Sequence, residues 1–259
     1  MNKREYEVLF RTEDDFWWYR GMRDVTRALA PGLFSRPKGA RVLDAGCGTG
    51  RNLVDLAAGG PAAGVDASFL ALSLARRRRA APLVCASLEA LPFRAGAFVG
   101  VLCRDVLYMV PDDARAAGEI VRVLAPGGPL VLSAPALDAF AGAHDRAVGG
   151  LRRYTARQLE NLLENAGLAV RRTTYANFFL APPIWLLRKV TGFLSRRQTR
   201  EEVESDFALS PSPFEGIFFF FLSWEARIVR QGRLPFGVSV FALAGKPDQG
   251  AGGTSVAGK

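Results

Sequence analysis

Short apolar runs alternate with amphipathic stretches along the first two thirds of the chain. Arg41–Asp44, Ala62–Asp66, Leu83–Cys85, Val99–Cys103, Leu130–Ser133, Leu168–Tyr175 and Phe236–Gly245 read as seven strands. Between them the apolar positions fall at helical spacing. Leu53, Leu56 and Ala57 share one face, and Phe69–Ala80 forms the next helix. Asp112 can cap a helix that runs to Leu124 and stops at Ala125-Pro126-Gly127-Gly128. Thr155 and Gln158 make a capping box ahead of Leu159, Leu162, Leu163 and Ala166, with Gly167 as the stop. Residues 1–36 read as mostly helical and carry Phe16-Trp17-Trp18-Tyr19.

Strands that alternate with helices imply an α/β fold, a doubly wound and mostly parallel sheet covered on both faces. The division this predicts is a helical cap over 1–36, a core over 37–175, an apolar helical insertion over 176–235, a last strand over 236–246 and a disordered tail over 247–259. The insertion is far longer than an ordinary connection. It holds Phe178 to Leu187 and the run Ile217-Phe218-Phe219-Phe220-Phe221-Leu222, separated by a polar stretch from Gln198 to Ser205. The phenylalanine run is apolar all round its helix, which predicts burial on several sides.

Composition narrows the picture. Hydrophobic residues make up 49% of the 259, enough for a large core without staples. Three cysteines without a CxxC pair and a single histidine predict no metal site. The N-terminus lacks the apolar run of a signal peptide and no stretch is long enough to span a bilayer, so the expected location is the cytoplasm. A net charge of +9 favours an anionic partner. Arg76-Arg77-Arg78-Arg79 reads as a solvated, cationic helix end.

The chemistry concentrates in Asp44-Ala45-Gly46-Cys47-Gly48-Thr49-Gly50, between a strand and a helix, where open α/β sheets bind ligands. Its glycines let backbone approach a ligand, and Asp44 can anchor a cationic ligand or hold the loop through backbone N–H groups. Asp66 ends the next strand, where a carboxylate can accept both hydroxyls of a ribose. A nucleoside with a small charged appendage fits that pair. The dinucleotide fingerprint does not, because Arg51 stands where a small residue is required.

The D-x-G-x-G-x-G pattern resembles motif I of the class I S-adenosylmethionine-dependent methyltransferases, close to their ubiquinone/menaquinone-biosynthesis type. Gly64-Val65-Asp66-Ala67-Ser68, Ser87-Leu88-Glu89-Ala90-Leu91-Pro92-Phe93 and Val123 to Leu132 resemble the family's later motifs in order and spacing. The resemblance implies a seven-stranded Rossmann-like sheet with S-adenosylmethionine as cofactor. It implies cofactor contacts at Asp44, Gly46, Cys47, Gly48, Gly50, Asp66, Ala67, Ser87, Leu88, Cys103 and Arg104. Ser87 replaces the family's adenine-binding aspartate, and Tyr108-Met109 stands where many relatives have Glu-His.

On the acceptor side, His144 is the candidate general base, since its ordinary pKa suits that role near neutrality. Arg153 and Tyr154 follow it in an arrangement similar to relatives of this type. Trp17, Trp18 and Tyr19 could line a cage for a sulfonium, and Tyr108 joins them as a substrate-side candidate. The apolar insertion points to a small-molecule acceptor, hydrophobic or lipid-linked, with oxygen the favoured atom and peripheral contact with a membrane surface. A nucleic-acid methyltransferase and a non-catalytic cofactor-binding homologue are the alternatives. Against the first stands the lack of an N-P-P-[YF] motif.

Overall fold

All seven expected strands form one sheet in the computed structural model, which describes residues 3–142, 145, 148–186 and 215–248. The strands are β1 (Val42–Ala45), β2 (Ala62–Asp66), β3 (Leu83–Cys85), β4 (Gly100–Arg104), β5 (Pro129–Pro135), β6 (Ala169–Ala176) and β7 (Ser239–Gly245). Their order is β3-β2-β1-β4-β5-β7-β6, and only β7 runs antiparallel to its neighbours. The order reverses direction between β1 and β4. The carboxyl ends of these two strands flank the crevice where doubly wound sheets take ligands.

Side-chain alternation divides the core into two layers. Leu43, Val101, Leu130, Leu132 and Val240 face one layer, where α5 (Asp113–Val123) contributes Ile120 and α6 (Ala156–Asn165) contributes Leu159 and Leu163. Val42, Leu102, Val131 and Phe241 face the other. There α2 (Trp17–Leu29) presents Met22 and Val25, α3 (Arg51–Ala58) presents Leu53 and Leu56, and α7 (Glu215–Val229) presents Ala226 and Val229. The helix starts follow the predicted chemistry. Asp112 accepts from Arg115 N–H, Ser68 from Ala71 N–H at the start of α4 (Phe69–Ala75), and Thr155 and Gln158 close a capping box.

Several expectations are corrected. The fourth strand sits one residue later than its apolar run, because Phe98 and Val99 lead into it through single contacts with the neighbouring chain. β7 begins at Ser239 rather than Phe236, and Gly237 just before it lies so close to the Ala176 carbonyl that no Cβ would fit there. The phenylalanine-rich α7 is not buried on several sides. It buries Leu222, Glu225, Ala226 and Val229, while Ile217, Phe220 and Trp224 are exposed. Residues 181–186 are helical; the polar stretch from Gln198 to Ser205 and residues 249–259 lie outside the described residues. The arginine run is not simply a solvated helix end, for Arg78 is tied into the protein by five hydrogen bonds.

Candidate active site

A cavity of about 550 Å³ opens at the carboxyl ends of β1, β2 and β4, a volume within the usual range for small-molecule sites. Its floor is the turn after β1. Gly46 and Gly48 have φ of +80° and +51°, a region that side chains resist. A Cβ on Gly46 would stand 2.5 Å from Val106 Cγ1, whereas one on Gly48 would meet nothing within 4 Å. Gly46 thus lets the turn pass Val106, and Gly48 keeps its backbone bare toward open space. Asp66 locks this turn: its Oδ2 accepts from Gly48 N–H at 2.9 Å and its Oδ1 from Ser68 N–H at 2.8 Å. Burial raises the Asp66 pKa, and these two hydrogen bonds oppose the rise. Two of a carboxylate's roughly four acceptor positions are then in use, leaving room for two hydroxyl donors.

Asp44 is the unusual group. Its carboxylate is buried, and neither oxygen has a hydrogen-bond partner among the described residues. Burial pushes its pKa up to about 7, with Arg104 pulling the other way. It therefore does not hold the loop through backbone N–H groups. An unpartnered buried carboxylate costs stability unless it protonates or meets a cation.

Gly46, Cys47, Gly48, Asp66, Ala67, Ser87, Leu88 and Arg104 line the cavity as the sequence suggests, and so do Tyr19 and Tyr108. The Ser87 hydroxyl accepts from Glu89 N–H and donates to Glu89 Oε2, which leaves it one acceptor position. Burial raises the Tyr19 and Tyr108 phenols well above their ordinary value and does the same to the Cys47 thiol, so all three stay protonated near neutrality.

Other candidates do not reach the wall. Asp44 and Cys103 are buried in strands, and Gly50 caps α3 against Ala75. Trp17 lies 5.0 Å from the Phe218 ring and so packs α2 onto α7, and Trp18 packs against the core clusters, one of them formed by Phe140, Ala181 and Val238, so neither contributes to a cage. Arg153 forms a bidentate pair with Asp145 and donates to the Ala136 carbonyl. Tyr154 donates to Asp113 Oδ2 at 2.6 Å. Both side chains brace the chain after β5 rather than facing a ligand. His144 lies outside the described residues.

The cavity also takes residues the sequence reading did not name. Glu5, Tyr6, Leu9 and Glu13 come from α1 (Lys3–Thr12) and the turn after it, and Asp105, Val106 and Val110 come from the segment after β4. Asp105 has φ of +51°, rare for a side chain outside glycine and the kind of strain that gathers at functional sites. Ser133 Oγ donates to its Oδ1 and Arg104 to its Oδ2. Its place one residue beyond β4 was a legible signal, whereas the α1 residues had none, because only the return of that helix over the sheet makes them part of the wall.

Comparison with known proteins places this architecture. Residues 43–132 match the family described as a methyltransferase domain. The chain is 37% identical over 138 residues to a demethylmenaquinone methyltransferase of Mycobacterium sp. (strain KMS), covering 52% of this chain and 56% of that one. It is 32% identical over 136 residues to a malonyl-[acyl-carrier protein] O-methyltransferase of Legionella pneumophila, covering 47% of each. The chain thus spans about half the length of these curated relatives. Among solved structures, YcgJ of Bacillus subtilis superposes with a TM-score of 0.59 at 16% identity, covering 88% of this chain and 100% of that one, which supports the fold.

Proposed function

From a chain that carries a class I S-adenosylmethionine-dependent methyltransferase domain, we propose a methyltransferase that acts on a small acceptor, hydrophobic or lipid-linked, within the cavity beneath α1. The observation that carries the reading is the pairing of an unpartnered, buried Asp44 with the Gly46–Gly48 turn that Asp66 locks. Asp44 lies behind the cavity wall, and from there its carboxylate would be stabilised by the field of an amino-acid ammonium seated on the turn in front of it. The free acceptor positions of Asp66 suit ribose hydroxyls, Ser87 suits the edge of a purine, and Leu88 suits its face. These residues fit an adenosyl amino-acid ligand, which when bound supplies an electrophilic methyl carbon on a sulfonium.

The chain's own contribution is alignment and exclusion of water. Holding an acceptor in line with the reacting carbon is worth roughly 7–11 kcal/mol, so methyl transfer needs no covalent help from the protein. Leu9 and Glu13 cover the cavity from one side, and Val106, Tyr108 and Val110 from another. Tyr108, held protonated by burial, can donate a hydrogen bond to an acceptor oxygen. For an acceptor that must lose a proton, His144 remains the sequence's own candidate base. Oxygen as the methylated atom is the favoured reading, in keeping with the O-methyltransferase among the relatives.

The exposed face of α7 supports an apolar or lipid-linked acceptor. Ile217, Phe220 and Trp224 present a contiguous helical stripe to solvent, and Trp185 and Leu186 are also exposed. Among the described residues no helix is long and apolar enough to cross a membrane.

Calorimetry with S-adenosylhomocysteine tests the core of the proposal. The wild-type chain should bind it, and Asp66→Asn should weaken binding about tenfold or more by removing a charged acceptor. Folded protein that binds neither this compound nor S-adenosylmethionine would refute the reading.

A further inference from the structure

We infer that Arg78 is a positioning residue that clasps the N-terminal cap to the glycine turn and thereby sets how fast a bound nucleoside leaves. The inference rests on the proposed adenosyl ligand and adds to it a residue that the sequence placed only in a solvated arginine run.

α1 supplies one wall of the cavity, yet none of its residues is buried. Apolar burial therefore holds it weakly, and a helix so placed would open readily. Three guanidiniums fix the chain at its carboxyl end: Arg23 donates to the Glu13 and Asp14 carbonyls, Arg51 pairs with Asp14 Oδ1 at 2.7 Å, and Arg78, arriving from beyond α4, is the one of the three that also bonds the Thr49 carbonyl. Arg78 Nε donates to the Thr49 carbonyl at 3.0 Å, inside the glycine turn. One terminal nitrogen donates to both Asp14 oxygens at 3.1 Å. The other donates to Glu13 Oε1 at 2.9 Å and to the Phe10 carbonyl at 3.5 Å. The plane of the group lies 4.7 Å from the centre of the Phe10 ring. Thr49 closes the circuit by donating its hydroxyl to Glu13 Oε1.

The geometry uses the planar fork of arginine in full, which a lysine cannot copy. Its partners belong to two bodies. Phe10, Glu13 and Asp14 are cap, and Thr49 is the turn whose backbone faces the cavity. Glu13 is itself a wall residue, and burial raises its pKa while Thr49 and Arg78 hold it down. A ligand seated on Gly46–Gly48 cannot leave past α1 without separating these two bodies. The ligand-free protein already holds the clasp closed, so the clasp is part of the barrier to both release and entry.

The test is stopped-flow tryptophan fluorescence with S-adenosylhomocysteine, paired with hydrogen–deuterium exchange of the ligand-free protein. Arg78→Gln should raise the dissociation rate about tenfold or more, since charge-assisted hydrogen bonds are lost, and raise the association rate as well, since the free cap no longer has to be unclasped. In the same variant the amides of 3–14 should exchange faster while those of β1 and β5 do not. Arg76→Gln removes the same charge from an exposed neighbour and should match the wild type in both readouts. Unchanged dissociation in Arg78→Gln, or faster exchange spread over β1 and β5 as well, would overturn the clasp while leaving the ligand assignment standing. A wild-type chain that binds no S-adenosylhomocysteine would bring down both.

Discussion

Gly21 of α2 lies so close to Leu222 of α7 that a Cβ on it would stand 2.4 Å from Leu222 Cδ1 and 2.5 Å from Leu222 Cβ. The two helices meet at this point, where Met22, Val25, Ala226 and Val229 fill the layer beneath. Glycine inside a helix ordinarily costs about 0.5–1 kcal/mol relative to alanine, so close approach is what it provides here. Gly21→Ala should destabilise the protein by ~1–3 kcal/mol through overpacking, read as a lower urea midpoint. Adding Leu222→Ala should recover part of that loss; a double variant as unstable as the sum of the singles would show that the two residues do not press on each other.

Glu225 gives a second prediction, on pH. It is buried within α7, where it accepts from Asn177 N–H at 2.6 Å and Phe179 N–H at 3.0 Å, and burial pushes its pKa up to about 7. The folded state then binds more protons than the unfolded state between the ordinary carboxylate range and pH 7. Its contribution to stability is full below that window and is lost as pH rises through it, by up to ~1.4 kcal/mol per pH unit. Glu225→Gln should flatten the dependence of the urea midpoint on pH between about 5 and 8. Parallel curves for wild type and variant would count against the shift.

Asp44 titrates in the same direction, from the same cause, and adds a signature on binding. A ligand ammonium on the turn in front of it would restore the carboxylate, so binding should release part of a proton near pH 6.5, a value chosen just below its raised pKa of about 7. Calorimetry in buffers of different ionisation enthalpy measures that proton. Asp44→Asn should abolish the release, and a buffer-independent enthalpy in the wild type would remove the cationic appendage from the argument.

The two glycines of the turn should fail differently. Gly48→Ala places a methyl in open space at the cavity floor, so S-adenosylhomocysteine affinity should fall while stability drops only by about the ~1–2 kcal/mol of left-handed strain. Gly46→Ala drives a methyl into Val106 and should lower stability more than Gly48→Ala does. Thermal melts beside titrations separate the two, and equal losses of stability would contradict the packing described for Val106.

The exposed stripe on α7 predicts an interfacial role. Phe220→Ser with Trp224→Ser should leave S-adenosylhomocysteine binding unchanged and reduce cosedimentation with anionic phospholipid vesicles. Wild-type protein that stays in the supernatant would end the membrane reading.

Local chemistry made much of this protein legible in its sequence. Seven strands, the caps at Ser68, Asp112 and Thr155, and the glycine turn that follows Asp44 all rest on residues within a few positions of one another, where periodicity and hydrogen-bonding rules act directly, and Asp66 was legible from its own place at the end of the second strand. Tertiary structure decided which of those residues face a ligand. It buried Asp44 without a hydrogen-bond partner among the described residues, turned Trp17 toward α7, packed Trp18 into the core, set Arg153 and Tyr154 to bracing the chain after β5, and brought Glu13 and Arg78 together from 65 positions apart. The reason is physical. A side chain's neighbours across the sheet or beneath a returning helix depend on how distant segments fold back, and no local pattern encodes that distance.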